Sequence, residues 1–152
     1  MTAKMTRTWL LIADGRHAKV METDGQGGFH SIDDMARSTE LPMSRDILAD
    51  RPGRTFDSLG AGRHAKENPT DPHRQLKREF AGTVVRALRK AMLAKRFERL
   101  ILIAPPAFMG DLREELPKDL KDKIAGEATS DLTKTPEQEL PAHLSHILDR
   151  AA

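Results

Sequence analysis

The chain has 152 residues, 38% hydrophobic and 32% charged, with a formal net charge of +2 and no cysteine. That length and balance fit one domain with an ordinary core. The missing cysteines exclude a disulfide framework, thiol catalysis and thiolate-bound metal. A secretory signal needs an apolar region of about 7–15 residues, whereas the first apolar run is only Trp9 to Ala13. No stretch approaches the ~20 apolar residues that span a bilayer. The expectation is therefore a single cytoplasmic domain over residues 1–152, without membrane insertion.

The small net charge hides an asymmetry. Residues 1–44 carry 5 basic and 6 acidic side chains, residues 45–99 carry 14 and 7, and residues 100–152 carry 6 and 10. A middle third at +7 between segments at −1 and −4 points to a localised anion-facing surface. A solvated helix face with a charged loop is the plainer reading of the same numbers.

Thr8 to Ala13 (TWLLIA) is a continuous apolar run, the pattern of a strand buried on both faces. Asp14-Gly15 makes a turn, Ala18 to Thr23 a second strand, Asp24 to Gly28 a glycine-rich turn, and Phe29 to Ile32 a third strand, giving three antiparallel strands. Residues 36–71 have no sustained period and contain Pro42, Pro52, Gly53, Gly60, Gly62 and Pro69. A loop this long within one domain is normally functional or disordered. Asp71-Pro72 predicts a helix start. Leu76, Phe80, Val84, Leu88 and Met92 then recur every four residues, so a helix is expected to about Lys95. Its polar positions are mostly basic: Arg74, Lys77, Arg78, Arg86, Arg89, Lys90, Lys95 and Arg96.

Leu100 to Ala104 (LILIA) is a second fully apolar strand, ended by Pro105-Pro106, which starts a helix through Leu116. Another helical turn is expected from Pro117 to about Lys123, and an edge strand from Ile124 to Ser130. Thr135-Pro-Glu-Gln138 reads as a capping box opening a terminal helix to Asp149. The order β-β-β, loop, α, β, α, β, α predicts an α/β fold, a mixed five-stranded sheet with helices on its faces. Ribonuclease H-like domains and the middle domain of archaeo-eukaryotic release factors share this order.

Several stretches together resemble one bacterial family: WLLIADGRHAKV at 9–20, DRPGRTFDS at 50–58, GAGRHA at 60–65, DPH at 71–73, LILIAPPAFMGDLR at 100–113 and DLT at 131–133. They resemble the host attachment proteins, described as required for attachment of bacteria to host cells. That family is in turn similar to the release-factor middle domain, in which a Gly-Gly-Gln loop precedes a long helix. Here Gly60-Ala61-Gly62-Arg63-His64 holds the comparable place, with Ala61 where a glycine stands and no glutamine following. The resemblance thus implies a basic loop shaped for RNA or a ribosomal cleft, and it does not carry over peptidyl-tRNA hydrolysis.

Candidate residues follow. Arg45, Arg51, Arg54, Arg63, Lys66 and Arg74, backed by the basic helix, are positioned in sequence to neutralise phosphates. Gly60 and Gly62 would let backbone N–H groups approach an anion, with His64 beside them. The chain has no Tyr, one Trp and five Phe, and the apolar runs claim most of these, so a base-stacking platform is not expected. Asp14, at the end of the first strand, holds the place of a metal-binding carboxylate in ribonuclease H-like nucleases, with Asp131 as partner. The plainer reading of Asp14 is a turn former. His64, Glu67, Asp71 and His73 do not make a metal site of fixed geometry, and His143 and His146 share a helix face without a third ligand. The sequence favours a non-enzymatic RNA- or ribosome-binding module without cofactor. The other two readings are an attachment factor, acting indirectly or at the cell surface, and a metal-dependent phosphodiester hydrolase.

Overall fold

The computed structural model describes residues 6–23, 28–39 and 73–151. Strands β1 (Thr8–Ala13), β2 (His17–Thr23), β3 (His30–Ser31), β4 (Arg37–Ser38), β5 (Arg99–Ile103) and β6 (Ile124–Ala128) form one mixed sheet. Its order is β3-β2-β1-β5-β6, with β4 paired to β2. β1 runs antiparallel to β2 and parallel to β5, and β5 runs parallel to β6. The helices are α1 (Arg74–Leu93), α2 (Pro106–Glu115), α3 (Lys118–Lys121) and α4 (Leu140–Ala151).

The expected α/β architecture is present, with one strand more than expected. β3 and β4 share the outer edge of β2: β3 pairs at Met21 and Glu22, β4 at His17 and Ala18. Between them a 3-10 turn at Asp33–Met35 lifts the chain and drops the Met35 side chain into the core. The expected third strand is thus present but short, and the chain returns to the same edge as β4, which draws residues 37–38 out of the expected loop.

All six residues of β1 are buried, because both faces of the sheet are covered. On one face Trp9, Leu11 and Leu102 pack with Phe80, Val84 and Leu88 of α1 and with Phe108 and Leu112 of α2. On the other, Leu10, Ile12, Ile101 and Ile103 pack with Leu132 and with Leu140 and Leu144 of α4. The four-residue spacing read on α1 is the buried face, although Leu76 is only half-buried. Each fully buried Leu or Phe contributes roughly 1.5–3 kcal/mol, so this face fixes how α1 lies across the sheet.

Asp71 and Pro72, the expected helix start, lie outside the described residues, and α1 is described from Arg74. It ends through Lys95, which takes φ 60° while its N–H and that of Arg96 reach the carbonyls of Met92 and Ala91. That is a left-handed helix end built on lysine instead of glycine. The expected capping box before α4 does not form a side-chain cap. A 3-10 turn at Glu137–Glu139 leads in instead, and Pro141 occupies the first turn of α4, where its missing N–H costs nothing.

Candidate functional site

Two places in the fold gather chemistry. The first lies at the end of β1. Asp14 Oδ1 accepts the backbone N–H groups of Arg16 and His17, each at 2.7 Å, which closes the β1–β2 turn. Its Oδ2 accepts the Thr133 hydroxyl at 2.8 Å, and the same hydroxyl oxygen lies 2.7 Å from Asp131 Oδ1. Asp14 and Asp131, 117 positions apart in sequence, are therefore joined through one threonine. Burial works to raise the Asp14 carboxyl, but hydrogen bonds from Arg16, Thr133 and His17 outweigh it and hold the group below its ordinary value.

A hydroxyl carries one proton and donates to one carboxylate at a time. The second carboxylate oxygen beside Thr133 Oγ1 is thus a close oxygen–oxygen approach that a shared proton or a cation would relieve. No group of three or more acidic, His or Cys side chains able to hold a metal exists among the described residues. A small cleft of about 210 Å3 adjoins the pair, lined by His17, Lys19, Arg37 and Thr133. The sequence singled out both carboxylates as a pair and missed Thr133, which is the third residue of the DLT stretch and offered no charge to notice.

The second place is α1. It carries six basic side chains and one acidic, Glu79. Arg74 donates through Nη1 and Nη2 to Asp111 of α2, with Nη1 at 2.8 Å. Asp111 is only 2% exposed; burial raises its carboxyl, and the neighbouring Arg74 pulls it back down without cancelling the rise. Arg89 binds Asp119 of α3 at 2.9 Å, and Arg96, beyond the helix, binds Asp34 while lying 5.1 Å over the Trp9 ring. Arg113 of α2 binds Glu127 of β6. Arg78, Arg86 and Lys90 are exposed on one side of α1 and form no direct salt bridge among the described residues, although the Arg78 charge also acts on Asp111 and Arg86 donates to the Thr83 hydroxyl at 3.3 Å.

Of the residues expected to contact nucleic acid, only Arg74 is described, and its guanidinium is turned inward to Asp111. Arg51, Arg54, Gly60, Gly62, Arg63, His64 and Lys66 lie outside the described residues. His143 and His146 share an exposed face of α4, as their spacing predicts, and the groove they line also takes in Arg150. Among the described residues Trp9, Phe80, Phe97 and Phe108 are buried and Phe29 is half-buried, so no aromatic ring there is fully exposed for stacking.

The family model for proteins required for attachment to host cells matches residues 9–144, from β1 into α4. The chain belongs to that family. The matched span takes in the sheet, Asp14, Asp131, the segment ahead of α1 and α1 itself. A search of curated proteins gave no match. Among the described residues of this host attachment family member, no helix is long and apolar enough to cross a membrane.

Proposed function

We propose that the chain is a binding module for RNA or a ribosomal surface, engaged through the outer side of α1 and the segment that leads into it. The observation that carries this reading is the set Arg78, Arg86 and Lys90, exposed together on one side of α1 and not held in a direct salt bridge among the described residues. Such cations neutralise phosphates and give affinity without base specificity. The buried aromatics agree, since contact with the backbone needs no stacking platform. The sequence supplies three further cations, Arg51, Arg54 and Arg63, in the segment before the helix. Arg74 serves as an anchor, holding the start of α1 on α2. The attachment role of the family then follows indirectly, through effects on the expression of other surface components. Co-sedimentation with ribosomes over a salt series tests the reading: binding falls steeply with salt and is lost when the three α1 cations are reversed to Glu.

A second reading has its own observation. The Asp14–Thr133–Asp131 junction beside a cleft lined by Lys19 and Arg37 suits a metal-dependent hydrolase acting on a phosphodiester. Loss of metal-dependent turnover in Asp14→Asn, with the fold retained, is its minimum requirement.

A further inference from the structure

β6 is the outer strand of the sheet, and α4 covers the face beside it. Between them runs a groove of about 640 Å3, within the few-hundred to thousand Å3 range of small-molecule sites. It lies on the face of the sheet opposite α1, so it is separate from the surface proposed above.

The wall formed by α4 presents His143, His146 and Arg150, one helical turn apart in succession, all exposed and without an ion pair among the described residues. Side chains three and four apart stand about 5–6 Å from each other on a helix, so three donors of N–H groups line one side. The hydroxyls of Thr129 and Ser130 stand at the end of β6. The one carboxylate in the lining, Glu127, already accepts from Arg113 of α2. Leu132 and Ile147 supply an apolar patch in the same groove. The arrangement combines a row of N–H and O–H donors, a neutralised acid and an apolar surface. We propose that this groove binds a small organic phosphate, with the phosphate on His143, His146 and Arg150 and the organic body against Leu132 and Ile147.

Arginine grips a phosphate through paired N–H groups, and imidazole N–H groups add to it. Inorganic phosphate alone satisfies the N–H donors of the α4 wall and leaves the apolar patch uncovered, so the organic ester binds more tightly. The test is nuclear magnetic resonance titration of the full chain with phenyl phosphate, and separately with inorganic phosphate. Phenyl phosphate is expected to shift the His143 and His146 ring signals and the Ser130 amide saturably. Inorganic phosphate is expected to bind there on the order of tenfold more weakly, and His146→Gln with Arg150→Gln to weaken phenyl phosphate by a similar factor. Both substituted positions are exposed, and an unchanged amide spectrum elsewhere verifies the fold of the double variant. No saturable shift, shifts centred on α1, equal binding of the two phosphates, or undiminished binding by the double variant would each overturn the proposal.

Discussion

Arg74, the first residue of α1, holds both carboxylate oxygens of Asp111 through its two terminal nitrogens, although 37 positions separate the two residues. Asp111 is almost wholly buried and Arg74 is one third exposed. The two ends of this pair therefore respond differently to loss of the partner. Removing Arg74 strands a buried carboxylate, whereas removing Asp111 leaves a guanidinium that turns to water. We expect Arg74→Ala to cost about 2–4 kcal/mol at neutral pH and Asp111→Asn to cost less.

The pH dependence of that loss has a definite sign. The Asp111 carboxyl sits above its ordinary 3.8 because burial outweighs the pull of Arg74. A carboxyl raised in the folded state costs stability while ionised and returns it as pH falls through the folded value towards 3.8. Without Arg74 the carboxyl rises further, so the deficit of Arg74→Ala shrinks on acidification. Urea unfolding at several pH values between neutral and mildly acidic measures it; a deficit constant with pH would contradict this account.

Asp14 behaves in the opposite sense. Its folded-state carboxyl lies below the ordinary 3.8, so its contribution is present above that value and is lost as pH falls through the lower folded one. Asp14→Asn keeps an oxygen for the Arg16 and His17 N–H groups and loses the charge. Its cost should be about 1 kcal/mol at neutral pH and should vanish in acid only once the pH is below the lowered folded value. Thermal unfolding of the two proteins across that range checks the convergence.

Lys95 occupies the left-handed position that closes α1, at φ 60°. A side chain there costs roughly 1–2 kcal/mol that glycine avoids, partly offset by the larger freedom of glycine in the unfolded chain. Arg7 reaches only the carbonyl oxygen of Lys95, which the substitution keeps. Lys95→Gly should therefore stabilise the protein by about 0.5–1 kcal/mol, seen as a raised urea midpoint with unchanged slope.

The parts of this fold that were legible in the sequence are those written in apolar spacing. WLLIA at 9–13 and LILIA at 100–104 have no polar position to turn outward, and both stretches are fully buried in central strands. The every-fourth stripe from Phe80 to Met92 is the buried face of α1. Short-range polar signals were less faithful. Thr135 has the right residue type for a cap, yet a 3-10 turn and Pro141 organise the start of α4. β4 has two residues and exists only because β2 leaves an edge open beside β3. At the candidate sites, Asp14 and Asp131 were readable as carboxylates near strand ends, while the Thr133 hydroxyl that joins them was not. The inward turn of Arg74 was hidden for the same reason, since its partner Asp111 sits in another helix and nothing in local sequence marks an aspartate as buried.

The most direct test of the central claim is co-sedimentation of the protein with ribosomes from its own host across a salt series. It compares wild type with Arg78→Glu/Arg86→Glu/Lys90→Glu, whose sites are exposed on α1. The account predicts wild-type binding that weakens steeply as salt rises and is abolished in the triple variant. Binding insensitive to salt, equal binding by both proteins, or no wild-type binding even at low salt would contradict it.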